Sequence, residues 1–377
     1  MNERERYVKS LSFEDVDKVF FAPGGPREST LKRWKQEGLP ADADWHEYLL
    51  DKELGIEIDK PQSERADLKV SFTMIPEFEE KVLEHKDGHY VVRDVKGTIV
   101  EIADNFDVTY LRSAKDFVTR KYIKFPVENA KDWEEMKKKY NANDPSRVPA
   151  NLKEVSAKLR DRDYILGAGV SGPFWQLRDW CGFENLCMLM ATDQDFVMEM
   201  VEFWKDFVLS VLRKIKGYVS YDSVIINEDM AYKVKSMISP AMVRKYLMPV
   251  WSAWAEMFKE SGCRVVMLDS DGYIGELIPL WIESGINCCI PIEIAAGNDP
   301  VEIRKRYGKK IGLYGGIDKR LIAKGGKALE NEIYRVVPPL LKGGGYIPAC
   351  DHGVPPDISW RNFVEYARLL AKLQGWL

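Results

Sequence analysis

The sequence is poor in cysteine and histidine, has no long apolar run, and carries no surplus of charge of either sign. Six cysteines in 377 residues, none of them in a C-x-x-C pair, are too sparse for a secreted disulfide scaffold. No stretch approaches 18 consecutive apolar residues, which excludes a membrane-spanning helix. No apolar stretch follows the opening Met1-Asn-Glu-Arg-Glu-Arg6, so no signal peptide is expected and the cytoplasm is the expected location. Lys and Arg number 55 against 59 Asp and Glu, a net charge of -4. Such a balance lacks the electrostatic excess on which nucleic-acid and anionic-membrane binding draw, so neither is expected as a partner. No G-x-G-x-x-G follows an early strand, and no G-x-x-x-x-G-K-[ST] occurs anywhere. Internal repeats and low-complexity tracts are also missing.

What is present suffices for a globular core: 45% of the residues are hydrophobic and 30% charged, a mix that excludes global disorder. Residues 1 to 150 read as an N-terminal elaboration with extra strands. Within it Glu28 to Trp34 forms a short helix, and Tyr90 to Asp94 and Thr98 to Ile102, divided by Lys96-Gly97, form a hairpin. From 151 to 377 the pattern is regular. Apolar runs at 164–170, 223–226, 264–268, 286–290, 310–314 and 345–348 alternate with helical windows. Ser239-Pro240 and Asp299-Pro300 each place a capping side chain before a proline at the first helical position, and Gly262 and Gly308 close the segments that follow. Repeated strand–helix units favour parallel pairing, hence an α/β fold. A (β/α)8 barrel, a single structural domain overall, is the first expectation and a doubly wound sheet the rival.

In such barrels the chemistry sits at the C-terminal ends of the strands. Five consecutive runs are followed by polar groups: Asn227-Glu228-Asp229, Asp269-Ser-Asp271-Gly272, Glu293, Asp318, and Cys350-Asp351-His352. Each lone Asp has a plainer reading as the cap of the next helix, and Cys288 and Cys289 read as core. Of the four histidines, His46, His85 and His89 read as surface, whereas His352 stands at a strand end with Pro355 and Pro356 beyond it. Carboxylates around one imidazole fit two chemistries. One is general acid–base catalysis; the other is a divalent metal, zinc foremost, held by Asp269, Asp271, His352 and Glu228.

The strings Glu228-Asp-Met-Ala-Tyr-Lys233, Asp269-Ser-Asp-Gly-Tyr273, Pro291-Ile-Glu293, Gly315-Gly-Ile-Asp-Lys319 and Asp351-His-Gly-Val-Pro355 are collinear, and with them the chain resembles the uroporphyrinogen decarboxylase superfamily. Within it, Arg27 to Trp34 and Gly38-Leu-Pro40 resemble the corrinoid-dependent methyltransferase branch. The resemblance implies a (β/α)8 barrel that moves a methyl group between a small substrate and the cobalt of a separate corrinoid protein, a transient partner. Self-association into a homodimer is a further expectation. In the coenzyme M methyltransferases of this superfamily a zinc is held by a His-x-Cys pair and a later Cys; the matching positions here are Asp269-x-Asp271 and His352, so the thiolates are replaced. The Arg-Gln-Ala-Gly-Arg-Tyr segment by which the decarboxylases grip tetrapyrrole carboxylates is missing; Phe20 to Arg27 stands in that neighbourhood.

The leading expectation is therefore O-demethylation: transfer of a methyl group from a small methoxylated, aromatic substrate to Co(I) of the corrinoid protein. Glu228, Asp271, His352 and Glu293 are the expected catalytic residues. Trp175, Tyr232 and Tyr273, with Trp180, are expected to clamp the ring, although each also reads as core packing. The alternatives are a methylamine, methanol or betaine donor, a decarboxylase, or a non-catalytic corrinoid-binding accessory protein.

Overall fold

A computed structural model describes residues 1–57, 65–104 and 118–377. Its strands are β1 (Lys81–Lys86), β2 (His89–Arg93), β3 (Ile99–Ala103), β4 (Lys121–Lys124), β5 (Gly167–Ser171), β6 (Ser223–Asn227), β7 (Val265–Asp269), β8 (Cys288–Ile290), β9 (Gly312–Ile317) and β10 (Tyr346–Cys350). β1 to β4 form one sheet in sequence order, and β5 to β10 form a second in the order β10-β9-β8-β7-β6-β5. The six apolar runs expected as strands are the six members of the second sheet. Its ladders from β6 to β10 are parallel. The fold is thus α/β with a six-stranded parallel sheet. Among the described residues no helix is long and apolar enough to cross a membrane.

The chain divides into two compact units. One joins residues 1–68, 153–170 and 217–377; the other joins 69–152 and 171–216. In the second unit the expected hairpin is present, Arg93 pairing with Ile99 and Tyr90 with Ile102. Its core is aromatic: Trp133, Tyr140, Trp180 and Trp204 are buried with ring centroids 4.8 to 5.7 Å apart. Trp180 belongs to this core, and its N–H donates to Tyr140 Oη at 3.2 Å. Trp175 lies on the helix Pro173–Cys181 of the same unit, with the Arg178 guanidinium 5.1 Å from its ring.

In the first unit the strand period of two determines what faces inward. Ile225, Val265, Met267, Cys288, Ile290, Tyr314 and Ile347 pack into one apolar cluster, against which the helix Glu3–Leu11 lays Tyr7, Val8 and Leu11. Continuing the inward rows by two residues reaches Asn227 on β6 and Asp269 on β7, which are register partners; Asp269 pairs in turn with Ile290 of β8. The same alternation that builds the core therefore ends in polar groups at the strands' C-terminal tips. The extended segment before Arg27 lies along β10: Cys350 N donates to Pro23 O, and Val354 N to Gly25 O.

Both capping predictions are realised. Ser239 Oγ accepts from Met242 N and Asp299 Oδ1 from Val301 N, each with proline next in sequence. The helix after Ser239 was expected to be regular, but it widens into a π turn over Val243–Leu247 before resuming at Met248–Glu260. Pro249 has no N–H to continue the ordinary ladder, which accounts for the break at that point.

Candidate active site at the strand ends

A cavity of about 350 Å³ opens at the C-terminal ends of the parallel strands. Its apolar wall comprises Ile225, Ile290, Pro291, Tyr314, Ala349 and Cys350; its polar groups are Asn227, Asp269, Asp271 and His352. The volume is that of a small-molecule site. Gly315 lines it at a φ of +106°, and a Cβ there would stand 2.2 Å from Pro291 O. Only glycine allows so close a backbone approach.

Asp269 and Asp271, at and just beyond the end of β7, and His352, from the segment after β10, are brought together. His352 Nε2 lies 3.0 Å from Asp271 Oδ1. Burial by itself would lower the His352 pKa, but the hydrogen bond and charge of Asp271 outweigh it and leave the imidazole above its ordinary value. Asp269 is pushed up to about 7, first by burial and then by the neighbouring charges of Asp271 and Asp229. A carboxyl that still carries its proton near neutral pH can act as a general acid.

The other expected residues have different roles. Glu228 is fully buried and accepts a hydrogen bond from Trp251 Nε1 at 2.6 Å. Glu293 braces the rim: its Oε2 accepts from Gly272 N at 2.9 Å, and its Oε1 lies 3.7 Å from Lys319 Nζ. Neither is among the residues lining the cavity. Tyr232 is 72% exposed and, like Tyr273, lies outside the cavity lining; the aromatic side chain that does line it is Tyr314. Asp318 caps its own helix, its carboxylate accepting from Arg320 N at 2.9 Å. Cys350 lines the cavity with its thiol pushed up to about 12 by burial, which makes it inert as a thiolate near neutral pH. His46, read from the sequence as surface, is largely enclosed, and burial lowers its pKa.

One site residue, Lys319, was not singled out in the sequence, and Asp351 stood there only among the polar groups after the last strand. Lys319 Nζ stands 3.0 Å from His352 Nδ1. Asp351, fully buried, accepts from Ile294 N at 3.0 Å and from Lys319 N at 3.2 Å, tying the segment after β8 to the helix after β9. Their signal lay in the quoted strings Gly315 to Lys319 and Asp351-His352, but sequence spacing does not reveal a lysine that reaches from one strand end to the next. Asp269, Asp271, His352 and Glu228 are the residues expected to hold zinc. Among the described residues no group of three or more His, Cys, Asp or Glu side chains is arranged to hold a metal ion. Glu228 is engaged with Trp251, and each nitrogen of His352 already faces a partner.

The acid-lined cavity at the C-terminal ends of the parallel strands lies where α/β enzymes carry their sites. Residues 116–370, more than half of the chain, match the uroporphyrinogen decarboxylase (URO-D) family, and the chain belongs to that family. Among solved structures it is similar to a methyltransferase from Methanosarcina mazei, at 13% identity over 99% of each chain with a TM-score of 0.57. At that identity the likeness speaks for the fold. No curated protein matches the sequence.

Proposed function

We propose that this chain is a methyltransferase on a closed (β/α)8 barrel that removes the methyl group of a small methoxylated, aromatic substrate and delivers it to a corrinoid protein in the cytoplasm. The observation that carries this reading is Asp269, buried with its pKa pushed up to about 7, at an apolar-walled cavity beside the hydrogen-bonded His352 and Asp271. The partner's Co(I) corrinoid supplies the nucleophile that takes the methyl carbon. As the carbon–oxygen bond breaks, its electron pair stays on oxygen, and a phenolate or alkoxide is a poor leaving group near neutral pH. Asp269 donates its proton to that oxygen, and His352, hydrogen-bonded to Asp271, holds that carboxylate in place while Asp269 regains a proton from water as the product leaves. Tyr314, Ile225 and Ile290 enclose the ring and keep bulk water from competing as the donor.

The URO-D family, the similarity to a methyltransferase, and the six unpaired cysteines in keeping with a reducing compartment all support this reading. A polycarboxylate substrate suits the site less well. The described residues lining the cavity include no Arg or Lys, and carboxylates entering it would meet Asp269 and Asp271. The test is methyl transfer to a Co(I) corrinoid protein from a panel of methoxyarenes, methylamines, methanol and betaine. Transfer from methoxyarenes with release of the phenol supports the proposal. Transfer from another donor class, or turnover of a carboxylated tetrapyrrole without a partner protein, overturns it.

A further inference from the structure

The imidazole expected to ligate a metal ion, His352, faces an ammonium instead. Lys319 opens the helix Lys319–Lys324 after β9, and its backbone N–H is fixed by Asp351 Oδ1 at 3.2 Å. The other oxygen of that buried carboxylate accepts from Ile294 N at 3.0 Å, so the lysine starts from an anchored point. Its side chain is only 20% exposed and brings Nζ 3.0 Å from His352 Nδ1 and 3.7 Å from Glu293 Oε1. An ammonium has protons to donate and no lone pair, so Nδ1 must turn its lone pair to Lys319. That lone pair is what an imidazole offers a metal. The opposite nitrogen, Nε2, then carries the hydrogen and faces Asp271 Oδ1 at 3.0 Å. Glu293 is held from its other side by Gly272 N at 2.9 Å. An imidazole nitrogen and a carboxylate oxygen thus already converge on one positive charge.

We propose that Lys319 is the resident cation of this site, a positioning residue that takes the place of a metal ion between His352 and Glu293, and that the chain works without bound zinc. Lys319 is not among the residues lining the cavity. It acts through His352, fixing which ring nitrogen bears the proton that faces Asp271. The inference stands on this geometry and not on the methyl-transfer reading, and it can fail independently of it.

The test uses the full chain and zinc alone as probe. Wild type, Lys319→Met, Lys319→Arg and the double variant Lys319→Met/His352→Ala are purified from zinc-replete growth. Metal content is measured by elemental analysis and zinc affinity by calorimetry. Wild type and Lys319→Arg, which keeps the charge, are expected to carry no stoichiometric zinc. Lys319→Met is expected to bind zinc about tenfold or more tightly than wild type, and the added His352→Ala to abolish that gain. Nitrogen NMR of the folded wild type, which needs no variant to fold, is expected to find His352 Nδ1 bare and Nε2 protonated. One zinc per wild-type chain lost on His352→Ala, no gain in Lys319→Met, or a protonated Nδ1 with bare Nε2 would each overturn the proposal.

Discussion

At the N-terminal ends of the parallel strands, Asp222 is 4% exposed and fully compensated: Arg4 Nε donates to it at 2.6 Å, Arg162 Nη2 at 2.9 Å and Leu166 N at 2.9 Å. At the C-terminal ends Asp269 has two other carboxylates for neighbours, and its pKa is pushed up to about 7. The two aspartates sit at opposite ends of the same layer of strands, one residue before β6 and at the last residue of β7. One is bound into the scaffold by guanidinium groups; the other is left short of compensating charge, so its proton is available. Stability is thus held at one end of the parallel strands and reactivity at the other, and these two residues make that division concrete.

The largest expected effect comes from breaking the compensated end. Asp222→Ala leaves Arg162, itself 7% exposed, without its carboxylate, and should cost roughly 3–5 kcal/mol of stability, read from denaturant unfolding. Asp269→Asn should do the opposite: a methyl-transfer rate lower by about 10² or more, with no loss of stability. The pH dependence sharpens this contrast. The folded-state value of about 7 exceeds the ordinary 3.8, so between those values the folded protein holds a proton that the unfolded chain has released. That contribution is fully present below about pH 4 and is lost as the pH rises through 7. Wild type and Asp269→Asn should therefore melt alike near pH 4, and the variant should gain in relative stability up to about pH 7, as calorimetric scans would record. The smallest effect is expected where burial is removed from the comparison. Lys158 and Glu154 form an ion pair at 2.8 Å with side chains 63% and 60% exposed, and Lys158→Ala should change stability by about 0.5 kcal/mol or less in the same unfolding assay.

The strands were legible in the sequence because buried parallel strands read as continuous apolar runs, and all six appeared as such. The clustering of Asp269, Asp271 and His352 was legible for a related reason: residues just beyond parallel strands share one rim. What the sequence did not reveal depends on reach rather than on position. Lys319 follows β9 yet serves His352 beyond β10, through a long side chain whose direction no spacing encodes. Glu228 follows β6 as expected, but Trp251, on a helix wall, holds its carboxylate. The aromatic candidates are placed differently. Tyr232 and Tyr273 lie beside strand ends in sequence but outside the cavity lining, whereas Tyr314 lines the cavity from within a strand. Phe20 to Arg27, which stands where the decarboxylases carry their carboxylate-gripping segment, lies along β10 through hydrogen bonds at Pro23 and Gly25 that its own composition does not announce.

The most direct measurement is a carbon NMR titration of the aspartate carboxyl groups in the folded protein, with Asp269→Asn used to assign the Asp269 resonance. The account predicts that this carboxyl is still protonated at pH 6 and titrates close to 7. A resonance that titrates in the ordinary range near 4 would mean that Asp269 is ionised throughout and has no proton to give to a departing oxygen.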